Sequence, residues 1–151
     1  MLVSEDQAIA ASKQQYLATM SELSKDGKLV TDPKLLKRVD TITGKLIAQA
    51  IEMRPATQNW EWSVEVIDDP EMVNAWCMAG GRMALYTGLI NKVDPTDDEL
   101  AQVMGHEISH ALANHTAERM SVAMATTVGV LAAGVVSDKP GIAMAGAAGA
   151  A

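Results

Sequence analysis

The chain has 151 residues, 48% of them hydrophobic, which is enough for one domain with a modest core. Twelve Lys and Arg against 19 Asp and Glu give a formal net charge of -7, which argues against a nucleic-acid phosphate backbone as partner. Cys77 is the only cysteine, so an internal disulfide and a cysteine-based zinc site are both excluded.

At the start, Met1-Leu2-Val3-Ser4-Glu5-Asp6 has no basic segment followed by an apolar one, so a signal peptide is not expected there; a trimmed chain would read the same. Ser4 with Gln7 three residues on resembles a capping box, and Ile9, Tyr16, Leu17, Met20 and Leu23 follow at helical spacing. This predicts a helix over 4–26. Asp32 followed by Pro33 is a second start signal, and Leu35, Leu36, Val39, Ile42, Leu46, Ile47 and Ile51 continue it as a helix over 32–53. Gly44 weakens that helix by about 1 kcal/mol relative to Ala, which tertiary packing can offset.

From Trp60 the period changes to two, with Trp60, Trp62, Val64 and Val66 on one side and Glu61, Ser63 and Glu65 on the other. That is the pattern of a half-buried strand. Asp68-Asp69-Pro70 breaks it, and two apolar runs then flank Ala79-Gly80-Gly81, a connection suited to an antiparallel hairpin. A small, mostly antiparallel sheet over 60–87 is expected, followed by a short helix or turn around Leu89.

Thr96-Asp97-Asp98-Glu99 can form a capping box whose three acids favour the positive end of a helix. The helix expected over 97–117 buries Leu100, Val103, Met104, Ile108, Ala111 and Leu112, and carries His106-Glu107-Ile108-Ser109-His110. Two imidazoles four residues apart sit about 40° apart around a helix and one turn apart along it, so both can aim a ring nitrogen at one point. That point suits a single Zn2+ ion. Glu107 lies about 100° round from His106, placed to act as general base on a water at the metal and not as a ligand. The assignment requires that the two rings converge and that solvent reach the cation beside Glu107. Gly105, just before the first histidine, stands where a larger side chain could crowd a neighbouring strand.

The stretch His106-Glu107-Ile108-Ser109-His110-Ala111-Leu112-Ala113-Asn114-His115-Thr116-Ala117-Glu118-Arg119-Met120, together with Asn74-Ala75-Trp76-Cys77-Met78-Ala79-Gly80-Gly81-Arg82-Met83-Ala84-Leu85-Tyr86-Thr87-Gly88-Leu89, resembles metallopeptidase family 48. These gluzincins include HtpX-type quality-control proteases, CAAX prenyl proteases and soluble or lipid-anchored relatives in bacterial envelopes. The resemblance is strong over 60–120 and loose over the two N-terminal helices. It implies an α+β, zincin-like catalytic domain, His106 and His110 as zinc ligands, and Glu107 as catalytic acid/base. It also implies that Asn74 and Ala75 lie on the edge strand that binds an extended peptide or unfolded protein substrate. An edge strand offers unpaired N–H and C=O groups to any backbone, which fits such a role. Asn74 as a turn or capping residue is the plainer alternative, and Cys77 in its apolar strand reads as an inert packing thiol.

One departure matters. A catalytic zinc has three protein ligands plus water, and the resemblance implies that the third is a glutamate on a later helix, which this sequence lacks. His115 points about 180° from His106 on a continuing helix. Glu118 is about 12 Å beyond His110 along the axis, and Asp138 sits in a turn-like segment. The chain is therefore expected to be the front part of a longer enzyme whose C-terminal segment supplies that glutamate, and to be weakly active or inactive alone.

Beyond Met120, residues 121–137 carry no charge and are rich in Ala, Val and Gly. A membrane span is one reading; an apolar small-residue helix and tail over 120–151, packed on further structure, is the preferred one. The ten methionines are scattered and read as core filler. The resulting expectation is a zinc-dependent endopeptidase of protein quality control in the bacterial cell envelope, periplasmic or membrane-associated, the localisation resting on resemblance alone. A non-catalytic metal- or protein-binding module is the alternative.

Overall fold

The protein is described by a computed structural model, which covers residues 4–113 and the backbone of Ala143 and Met144. The readings for 114–117, His115 among them, and for Glu118, Asp138 and the apolar stretch after Met120 fall outside the described residues, save that Ala143 and Met144, expected in a helix or tail, form a short strand. The order is α1 (Glu5–Lys25), α2 (Pro33–Met53), a 3-10 turn (Pro55–Asn59), β1 (Ser63–Ile67), β2 (Asn74–Cys77), β3 (Arg82–Tyr86), α3 (Thr87–Val93), α4 (Asp97–Leu112) and β4 (Ala143–Met144). The architecture is α+β.

Each long helix begins where its capping chemistry places it. Ser4 Oγ accepts from the Gln7 amide at 3.2 Å while Gln7 Oε1 accepts from the Ser4 amide at 3.0 Å, closing a capping box on α1. Asp32 caps α2 through the Lys34 amide, with Pro33 in the first turn, where its missing N–H costs nothing. Thr96 and Glu99 close the box on α4 at 3.1 and 2.9 Å. Asp94, in the left-handed region at φ 49°, ends α3.

The sheet is mixed, with strand order β1-β3-β2-β4, and not mostly antiparallel as the sequence suggested. β2 and β3 do form the antiparallel hairpin, with Ala75 opposite Leu85 and Cys77 opposite Met83. Gly80 and Gly81 turn it at φ 93° and 90°, a region open to glycine. β3, however, inserts between β2 and β1 and pairs in parallel with β1, and β4 adds in parallel to the other side of β2. The reason lies in β3, whose first four residues, Arg82 to Leu85, are all buried. A strand that is buried on both faces belongs in the interior of a sheet.

Strand alternation sorts the core into two faces. Val66, Ala75, Cys77, Met83 and Leu85 pack with Val39 and Ile42 of α2 and with Leu100, Met104, Ile108 and Ala111 of α4. Ile67, Trp76 and Ala84 face the other way, onto Tyr16 and Met20 of α1. Tyr16 donates to the Met83 carbonyl at 2.8 Å and meets Trp76 edge-on, and burial pushes its hydroxyl up to about 12. Helix α4 is thus held by the sheet, by α2 and by its own capped start.

The strand pattern begins later than the tryptophans suggested. Trp60 and Trp62 precede β1 and pack on each other at 5.3 Å, because the Trp62 indole N–H bonds the Thr57 carbonyl of the 3-10 turn at 2.8 Å. Pairing starts only at Ser63, whose amide donates to Gly81.

Candidate active site

The two histidines of α4 converge. His106 Nε2 and His110 Nε2 lie 3.0 Å apart, with ring centroids at 4.4 Å and the rings nearly perpendicular at 83°. Nitrogens about 2.0–2.1 Å from a tetrahedral zinc are separated by about 3.3 Å, so a shift of a few tenths of an ångström would seat this pair on one ion. His106 is exposed and His110 half-buried, so the pair stands at the surface of the described fold. The His106 carbonyl also accepts from Ser109 Oγ at 2.7 Å.

Glu107 departs from the expectation of a carboxylate open to water: it is buried, with 2% of its surface exposed. It stands with Leu100, Met104, Ile108 and Ala111 on the face of α4 that packs on the sheet. Its negative charge is felt by Cys77 of β2, whose thiol is pushed up, first by burial and second by that carboxylate. The thiol is therefore neutral and unreactive, which agrees with its reading as packing. The carboxylate thus sits in low-dielectric surroundings beside β2, next in sequence to the exposed His106.

Gly105 serves a different neighbour from the one expected. A Cβ added there would meet Leu46 Cδ2 of α2 at 3.5 Å, an ordinary contact, so no strand is crowded. Asn74 and Ala75 open β2. Asn74 Oδ1 accepts from the Ala75 amide at 2.8 Å, Ala75 is buried, and beside them Ala143 and Met144 occupy the outer edge of the strand. The edge that the sequence assigned to an extended substrate is thus one that takes an added strand, here from the chain itself.

Among the described residues no group of three or more His, Cys, Asp and Glu side chains could hold a metal. The described part of the site is two imidazoles and an adjacent carboxylate. Among the described residues no helix is long and apolar enough to cross a membrane.

Sequence reasoning missed two features. One is the burial of Glu107. The other is Arg54, whose guanidinium bonds the Leu112 carbonyl at the end of α4 at 2.9 Å. The first was open to inspection, since Glu107 falls seven residues after Leu100, in step with the apolar stripe. The second joins residues 58 apart, and no local pattern signals it.

Comparison with known proteins places these elements in a wider group. The model of peptidase family M48 matches residues 33–149. The chain is 30% identical over 123 residues to human mitochondrial metalloendopeptidase OMA1, covering 79% of this chain and 22% of that protein. It is 32% identical over 107 residues to the beta-barrel assembly-enhancing protease of Yersinia pestis, covering 68% and 21% respectively. Over 57 residues, 38% of this chain and 11% of the relative, it is 46% identical to mitochondrial metalloendopeptidase OMA1 of Arabidopsis thaliana. The chain thus spans 11% to 22% of the length of these three relatives. The family match starts at the first residue of α2 and runs through the hairpin and the histidine helix, and by that extent the chain belongs to peptidase family M48.

Proposed function

We propose that the chain is the zinc-holding core of an endopeptidase that hydrolyses peptide bonds in unfolded or misassembled protein. The observation that carries the reading is the 3.0 Å approach of His106 Nε2 and His110 Nε2, with Glu107 between them in sequence. His106 and His110 would hold one Zn2+, and a glutamate from outside the described residues would complete the protein ligands. When bound, zinc supplies Lewis acidity, polarising the scissile carbonyl and making a water acidic near neutral pH.

The protein's own part is positioning and proton transfer. Glu107, on the packed side of a helix fixed by the sheet and α2, takes a proton from the attacking water and returns it to the leaving amine. Its burial keeps bulk water away from that carboxylate. The substrate lies extended along β2 at Asn74 and Ala75, pairing by backbone groups that are indifferent to side-chain identity. That the same edge accepts Ala143 and Met144 supports its capacity to take a strand; a substrate would replace that pair.

The beta-barrel assembly-enhancing protease among the relatives supports a place in the bacterial envelope, periplasmic or membrane-associated. Assayed alone, the 151-residue chain is expected to turn over casein slowly or not at all. Extended to the length of its relatives, it is expected to hydrolyse casein in a chelator-sensitive manner, with Glu107→Gln slower by about 10²–10⁴-fold. Zinc retention in the longer chain without any hydrolysis would favour a non-catalytic binding module.

A further inference from the structure

We propose that Arg54 is a positioning residue for His110: it pins the last turn of α4 immediately beyond that histidine and so keeps the second ring nitrogen on the first. The inference rests on the proposed metal-holding role of the pair.

Helix α2 runs beside α4 in the same direction and reaches both of its ends with an arginine. At the start, Arg38 Nε bonds Asp97 Oδ1 and its Nη2 bonds the Pro95 carbonyl, each at 2.7 Å. At the finish, Arg54 Nη1 bonds the Leu112 carbonyl at 2.9 Å. The last four carbonyls of a helix have no intrahelical N–H to accept from, so such a donor satisfies one of them and also complements the negative end of the helix. Leu112 is the last residue of α4 and lies two residues past His110, so the histidine belongs to the turn that would otherwise fray first.

Arg54 is itself immobilised. Its Nη1 and Nη2 bond the two carboxylate oxygens of Glu5 at 2.8 and 2.7 Å, a forked pair, and its guanidinium lies 5.6 Å over the Trp60 ring. The Arg54 amide donates to Ala50 and its carbonyl accepts from both the amide and the hydroxyl of Thr57. One planar cation therefore ties the first turn of α1, the junction after α2 and the end of α4 together. Lysine could supply the charge but not the fork that spans carboxylate and carbonyl.

Arg38 is the internal control, because it makes the same kinds of bond from the same helix to the far end of α4. Co2+ binding, read from visible absorbance, and amide hydrogen exchange of the metal-free chain should be measured for the parent, Arg54→Ala, Arg54→Lys and Arg38→Ala. Arg54→Ala is expected to weaken Co2+ binding by about tenfold, at the low end of what loss of a ligand-orienting group causes. It should also speed exchange at residues 110–113 while leaving the first half of α4 unchanged. Arg54→Lys should recover only part of both effects, and Arg38→Ala should hold Co2+ within about twofold of the parent, as suits an exposed pair. Equal weakening by Arg38→Ala, or unchanged exchange at 110–113 in Arg54→Ala, would overturn the assignment. A parent chain that binds no Co2+ but shows the local exchange effect would instead refute the metal reading and leave Arg54 as the anchor of the helix end.

Discussion

A carboxylate in the apolar stripe of a packed helix is costly unless it is used, and Glu107 occupies that position in α4. The charged residue type suggested a solvent side, yet the spacing from Leu100 and Met104 was already that of a buried one. Its replacement by the isosteric Gln removes the charge and keeps the shape. Glu107→Gln is therefore expected to melt no lower than the parent in a calorimetric scan, while the same substitution in the chain extended to the length of its relatives loses hydrolysis; a marked loss of stability would mean that the carboxylate is structural. Glu65 offers a second test at this scale. Its carboxyl is held above the usual range, first by burial and second by Asp40, so its ionised form is disfavoured in the folded state. That penalty is absent when both folded and unfolded chains are protonated, and fully present once pH exceeds the raised folded value. Glu65→Gln should thus stabilise at pH 7 by less than about 1 kcal/mol, given its partial exposure, with the gain vanishing as pH falls below the ordinary carboxylate range. Denaturant titrations at the two pH values would show it.

At the scale of elements, what was legible in the sequence was local. The capping boxes of α1 and α4, Asp32-Pro33 and the two-glycine turn each act within a few residues, and each stands where its chemistry requires. The parallel pairing of β1 with β3 was not legible, because register and neighbour choice across 19 residues depend on which strand can be buried on both faces. Only the apolar run Met83 to Tyr86 of β3 hinted at it. Gly88 shows a similar long reach. A Cβ there would fall 2.2 Å from the Met72 carbonyl oxygen and 2.9 Å from that of Pro70, so the loop between β1 and β2 rests directly on the start of α3. Gly88→Ala must move backbone on one side or the other, and a loss of about 2 kcal/mol or more is expected in equilibrium unfolding. A neutral effect would show that this loop yields freely.

For the molecule as a whole, three layers set the site: α1, the mixed sheet, and α2 with α4. The sheet presents Cys77 and Ala75 to the histidine helix, and α2 holds that helix at both ends, so the imidazoles project from a helix fixed along its packed face and at its termini. This arrangement explains how a motif readable in five residues becomes a geometry, which five residues alone do not determine. A metal that binds only the folded chain must also stabilise it by mass action, by about 2.7 kcal/mol at a hundredfold excess over its dissociation constant. The most direct test of the account is isothermal titration of the metal-free chain with Zn2+, beside His106→Ala and His110→Ala. One saturable ion per chain is predicted, lost in either variant; binding that persists undiminished in either variant, or none in the parent, would contradict it.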